Sequence, residues 1–116
     1  MNRDPADARR ASRHHVGAGV PVVDAMSNRA LGFIRDLSEG GLQLLATRPL
    51  VDDALYQVLF ELEGGDGLVA IEAGVQAVNQ RSEGEEIVAG MRFIHMDAGN
   101  SRRLNAWLAS RASPKR

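Results

Sequence analysis

The sequence contains no cysteine. Disulfides, thiolate-bound metals and a cysteine nucleophile are thereby excluded, and a reducing cytoplasm is the simplest setting for the chain. Aromatic residues are scarce, with three Phe, one Tyr and one Trp. Barrels that hold single-stranded nucleic acid stack bases on aromatic side chains set in a basic surface, and this chain supplies neither. Its net charge of -1 also removes the bulk attraction by which a protein neutralises many phosphates of a nucleic-acid polymer. No apolar stretch approaches the ~18 residues needed to cross a bilayer. The charged segment from Met1 to Arg13 is followed by no apolar signal-peptide core, so neither membrane insertion nor secretion is expected.

What is present is ordinary for a folded domain: 116 residues, 44% apolar and 25% charged, enough for one modest core. Residues 1–19 hold Pro5, Gly17, Gly19 and several charges with almost no bulky apolar side chain, and are expected to form a flexible arm. From Val20 onward, six short apolar segments alternate with turn residues. They run from Val20 to Met26, Ala30 to Leu37, Leu42 to Thr47, Leu55 to Glu63, Leu68 to Asn79 and Ile87 to His95. Within them Tyr56, Val58, Phe60 and Leu62 recur at every second position, as do Val69, Ile71, Ala73, Val75 and Ala77, with Glu72, Gln76 and Gln80 on the opposite face. Ile87, Ala89, Met91 and Phe93 share a face in the last segment. After Asp97 the period lengthens. Leu104, Trp107 and Leu108 follow helical spacing, and Asn100 or Ser101 is a candidate cap.

The fold class read from this pattern is all-β with a terminal helix: a six-stranded antiparallel β-barrel plus a C-terminal α-helix over residues 20–112. Closure removes the exposed edges that an open sheet would carry. Residues 113–116 are expected to fray.

Two clusters stand out against this background. Arg9, Arg10 and Arg13 lie in the arm, and Asp36-Leu37-Ser38-Glu39-Gly40-Gly41 closes the second segment. If residues 36–38 stay extended, Asp36 and Ser38 project from the outer wall while Leu37 points into the core. A carboxylate accepts two hydrogen bonds side by side, and guanine offers N1–H and its exocyclic amine at matching spacing. Gly41 lets the backbone turn or approach a ligand closely. A guanidinium grips phosphate oxygens bidentately, bonds guanine O6 and N7, and stacks on a purine ring. The arm therefore suits a folded anionic nucleotide. Each cluster also has a plainer use, the arginines as a solvated tail and Asp36 with Ser38 as a turn cap bonding its own backbone.

These residues resemble the signature of the PilZ domain family, R-x-x-x-R followed by [D/N]-x-S-x-x-G. Arg9 and Arg13 match the first half, and Asp36, Ser38 and Gly41 match the second. Gly90-Met91-Arg92-Phe93 is similar to the family's late G-x-x-F strand, and the likeness extends from Arg9 to about Ala112. The resemblance implies a bacterial receptor for cyclic di-GMP that is not an enzyme and uses no metal or other cofactor. It implies that Arg9, Arg13, Asp36, Ser38 and Gly41 hold the ligand, with Arg10 as a secondary contact, as the arm wraps it against the barrel. Output then passes through an unidentified protein partner, in motility, exopolysaccharide production, biofilm formation or virulence. Family members often place a bulky side chain on the fifth strand beside the ligand. Val75 to Asn79 offers no aromatic. Ala8 stands where a further arginine favours a stacked pair of ligands, which points to one molecule per domain.

The rival reading is a PilZ-fold adaptor that works by protein contact without nucleotide, for example in type IV pilus assembly. Degenerate motifs would mark it, and both motifs are intact. His14, His15 and His95 have neither ligand-like spacing nor an acidic fourth member for a metal site. No nucleophile, base and orienting group can be assembled for hydrolysis.

Overall fold

Alternating apolar residues do form the strands. The computed structural model describes residues 14–15, 19–65 and 67–112, and among them lie seven strands and one helix. The strands are β1 (His14–His15), β2 (Pro21–Asp24), β3 (Arg29–Leu37), β4 (Gly41–Ala46), β5 (Leu55–Gly64), β6 (Gly67–Glu83) and β7 (Glu86–His95), followed by the helix α1 (Ala98–Ala112). The expectations for Arg9, Arg10 and Arg13, and for the tail 113–116, lie outside the described residues.

Six of the strands close on themselves. The antiparallel order β3-β2-β5-β6-β7-β4 returns to β3 through a β3–β4 pairing, which makes the expected barrel. β1 falls within the span read as arm and adds to the edge of β3, with His14 opposite Leu37 and His15 opposite Asp36.

β6 is longer than the apolar pattern foretold, running 17 residues to Glu83. Its first part pairs with β5 as far as Gln76, and its second part pairs with β7 from Gly74 onward. Each part thus has one edge without a strand neighbour, and buried backbone groups there need partners. The loop between β4 and β5 covers the later edge. The Asp53 N–H donates to the Ala77 carbonyl at 2.8 Å and the Ala77 N–H donates to the Ala54 carbonyl at 2.9 Å. The Gln80 side chain continues the ladder by accepting from the Leu50 N–H at 3.0 Å and donating to the Leu50 carbonyl at 2.6 Å. The helix covers the earlier edge: Asn100 Oδ1 accepts from the Glu72 N–H at 2.8 Å, and Arg103 Nε donates to the Ala70 carbonyl at 3.0 Å.

The interior follows the period-two reading. Val58, Phe60 and Leu62 from β5, Ile71, Ala73, Val75 and Ala77 from β6, and Ala89 and Met91 from β7 are buried together. Leu50 from the loop and Leu104, Trp107 and Leu108 from α1 join the same core. Each large side chain fully buried this way contributes roughly 1.5–3 kcal/mol. The Trp107 indole N–H donates to the Glu63 carbonyl at 2.9 Å, so its polar atom is satisfied. The helix cap differs from expectation. Asp97 takes the role, its Oδ1 accepting from the Asn100 N–H at 2.9 Å, while Asn100 is committed to β6. That hydrogen bond, with a second from the Asn100 side chain, lowers the Asp97 pKa.

Gln80→Leu should strand the Leu50 N–H and carbonyl and destabilise the fold by about 1–3 kcal/mol in denaturant titration. Hydrogen exchange should speed up at the Leu50 amide and leave the β6–β7 ladder protected.

Candidate functional site

The D-x-S-x-x-G segment sits where β3 ends and β4 begins, and its exposure is set by an irregularity in β3. Ile34 pairs with Leu44 and Asp36 with the adjacent Gln43, so Arg35 is an extra residue, a β-bulge. Side chains alternate at period two, so without the bulge Asp36 would share the inward face of Ile34. With it, Ile34 and Leu37 are both buried and the half-buried Asp36 turns to the outer wall.

A second bulge makes the matching change on β6. Ala77 pairs with Met91 and Asn79 with the adjacent Gly90, leaving Val78 as the extra residue. Asn79 is exposed as a result. Gln80, expected on the outer face with Glu72 and Gln76, swings instead toward the core residue Leu50.

The two bulges flank one register row. Asp36 lies opposite Gln43, Gln43 opposite Gly90 and Gly90 opposite Asn79, with His15 of β1 opposite Asp36 on the other side. At ~4.8 Å per strand the row from Asp36 to Asn79 spans about 14 Å. It presents a carboxylate and two carboxamides on the barrel's outside. Gly90 keeps the row shallow, because a Cβ there would stand 2.8 Å from Asn79 Oδ1. Gln43, Gly90 and Asn79 were not singled out from the sequence as site residues. Their association depends on cross-strand register, which leaves no trace in local spacing.

Ser38 departs from the expected outward pairing with Asp36. It is 6% exposed, and its hydroxyl accepts from the Gly40 N–H and donates to the Gly41 carbonyl, each at 3.3 Å. The Ser38 N–H also donates to that carbonyl, at 2.9 Å. Here Ser38 shapes the turn. Gly41 is required by close approach, since a Cβ would overlap the Met91 carbonyl oxygen of β7. The Phe93 N–H donates to the Gly40 carbonyl at 3.0 Å, so the turn is fastened to β7 as well as to β3.

Beside the row, Arg35 reaches across two intervening strands to Glu83, with Nη1 3.1 Å from Oε1. Arg81 holds the other carboxylate oxygen at 2.7 Å. The hydrogen bonds from Arg35 and then Arg81 hold the Glu83 carboxyl below its usual range, and the bond to Glu83 raises the Arg35 pKa. A depressed carboxylate stabilises the fold above its unfolded-state pKa, and that contribution is lost as pH falls through the folded-state value.

A closed barrel with a terminal helix and a polar row running to a D-x-S-x-x-G turn defines a small β-barrel domain with a polar outer wall. The PilZ domain family profile matches residues 7–110, and the chain belongs to that family. Solved structures share the fold. The inhibitor of motility MotI/DgrA of Bacillus subtilis superposes with a TM-score of 0.73 at 12% identity, covering 92% of this chain and 52% of that one. YcgR of Escherichia coli, in complex with c-di-GMP, gives 0.70 at 20% identity over 88% and 45% of the two chains. The MrkH–c-di-GMP complex of K. pneumonia gives 0.69 at 19% identity over 95% and 52%. The chain therefore spans about half the length of each of these proteins. Comparison with curated proteins finds no match. Among the described residues no helix is long and apolar enough to cross a membrane.

The Glu83 side-chain carboxyl should titrate below the ordinary glutamate range by NMR. Arg35→Gln should move its midpoint upward toward that range, and Arg29→Gln, at the far end of β3, should leave it unchanged.

Proposed function

We propose that this protein is a cytoplasmic receptor for cyclic di-GMP, a binding domain with no catalytic step. The observation that carries the reading is the outward Asp36 at the end of a polar row, beside a turn whose Gly41 seats it against β7. Asp36 accepts the N1–H and exocyclic amine of one guanine, and Ser38 holds the turn that presents it. Gly41 leaves room for the ligand to lie close. Arg9 and Arg13 supply bidentate contacts to phosphate and guanine and a flat stacking surface, with Arg10 adding field strength.

Two likenesses support the ligand assignment: both halves of the family signature occur in this sequence, and two proteins of the same fold are solved with c-di-GMP bound. The lack of an aromatic from Val75 to Asn79 shifts the burden of stacking onto the arm. Binding orders the arm, at ~1–2 kcal/mol per residue fixed, offset by charge-assisted hydrogen bonds of ~1.5–3 kcal/mol each. The newly covered surface is what a protein partner reads. β1 gives the arm a fixed point of departure, two residues joined to β3 beside Asp36.

Calorimetric titration with cyclic di-GMP should show binding, with GTP and cyclic GMP as controls that bind far more weakly. Asp36→Ala should weaken binding by roughly 1–3 kcal/mol with the melting temperature preserved. Arg9→Lys and Arg13→Lys keep the net charge and remove the planar fork, so both should lose affinity even in high salt. Unchanged affinity in all three variants would return the domain to the adaptor reading.

A further inference from the structure

Outside the signature residues, Arg92 shares the wall that carries Asp36 with Arg35 and Arg81, both of which are paired to Glu83. Arg92 on β7 is exposed and lies opposite Gly41 on one side and opposite Gln76 of β6 on the other. It is two positions from Gly90, so both face outward from the same strand, one row apart. By strand spacing its Cα stands within ~12 Å of Asp36, within reach of a cyclic dinucleotide lying on the wall. Its guanidinium is not free to wander. Nη2 donates to Gln76 Oε1 at 2.6 Å, a cross-strand bond that fixes the head group toward β6. On the other side the neighbouring strand offers only Gly41, which has no side chain to cover it.

The turn residues add to this picture. The Phe93 N–H donates to the Gly40 carbonyl, so the backbone following Arg92 is fastened to the motif turn. β1 runs antiparallel to β3, with His14 toward the Leu37 end and His15 toward Asp36. The chain thus enters β1 from the same end of β3 at which Gly41 and Arg92 stand. Among the described residues no carboxylate pairs with Arg92; its neighbour is a neutral carboxamide that orients the group without neutralising it.

We propose that Arg92 is a ligand-binding residue contributed by the barrel, and that it holds a phosphate of the cyclic dinucleotide. Gln76 is its positioning residue. The inference rests on the reading of this domain as a cyclic di-GMP receptor, and adds to it a rigid anion contact. A guanidinium already held by one hydrogen bond loses little freedom when it takes a phosphate oxygen, so the contact costs less ordering than one made by the arm.

The test is calorimetric titration of the full chain with cyclic di-GMP at two salt concentrations, comparing wild type with Arg92→Gln, Gln76→Ala and Arg29→Gln. Arg29 is exposed at the start of β3, far from the motif turn, and its variant removes the same charge. Arg92→Gln should weaken binding about tenfold or more, the loss of one charge-assisted hydrogen bond, and make affinity less sensitive to salt. Gln76→Ala should give a smaller loss, and Arg29→Gln a change within about twofold, as expected for a distant screened charge. Melting temperatures should stay close to wild type in all three. If wild type binds while Arg92→Gln binds equally well, or if Arg29→Gln weakens binding as much, the role assigned to Arg92 is overturned and the receptor reading stands. If wild type itself does not bind cyclic di-GMP, both fall together.

Discussion

The structure depends on keeping the backbone of one long strand satisfied. β6 is too long for either neighbour to pair along its whole length, so β5 takes the first part and β7 the second. The two uncovered edges are then claimed by the pieces of chain that are not barrel strands. Asn100 and Arg103 bring the helix to one, and Gln80 with the backbone of residues 53 and 54 brings a loop to the other. Leu104, Trp107 and Leu108 on the helix and Leu50 on the loop are thereby delivered to the core. Hydrogen bonding at the edge of a strand and burial of apolar surface are here one constraint met twice.

The candidate site arises from breaks in that regular pattern. A strand at strict period two assigns each residue to one face, so a polar position two residues beyond an inward Ile34 can reach the outside only if the phase slips. Arg35 and Val78 are the two slips, on strands three places apart, and they bring Asp36 and Asn79 to opposite ends of one row. The extra residue on β3 is itself used. Arg35 extends over the wall to Glu83 and links β3 to the far end of β6. Bulges of this kind cost ladder hydrogen bonds locally and re-aim side chains, and the row of Asp36, Gln43 and Asn79 is the return on that cost.

Most of the architecture was legible in the sequence because burial was periodic. Tyr56 to Leu62, Val69 to Ala77 and Ile87 to Phe93 repeat at two, Leu104 to Leu108 at the helical period, and the barrel follows from six such segments and one helix. The same reasoning stopped β6 at Asn79, because the residues beyond it, Gln80 to Glu83, are polar. It placed Gln80 outside, because no local signal marks the bulge at Val78. It divided the helix cap between Asn100 and Ser101, whereas Asp97 caps and Asn100 is drawn off by the Glu72 N–H. β1 carries no apolar pattern at all; two histidines become a strand only because β3 offers an open edge there. Of the motif residues, Asp36 and Gly41 stand where β3 ends and β4 begins, at the close of the second apolar segment. The hydroxyl of Ser38 was placed on the wall and is found inside the turn, where a short polar side chain meets two backbone groups before it meets solvent.

Trp107 is the one tryptophan in the chain. Its indole N–H ends on the Glu63 carbonyl at the close of β5, the Arg111 guanidinium lies 4.7 Å over the ring, and α1 also comes up against β1. An indole's emission responds to its hydrogen bond, to a neighbouring cation and to solvent. The intrinsic fluorescence of this protein is therefore a gauge of one joint, the seating of the helix on the β5–β6 hairpin. It reports on that joint without a label, and it separates the helix lifting away from the barrel coming apart, two events that circular dichroism of the whole domain would blur together.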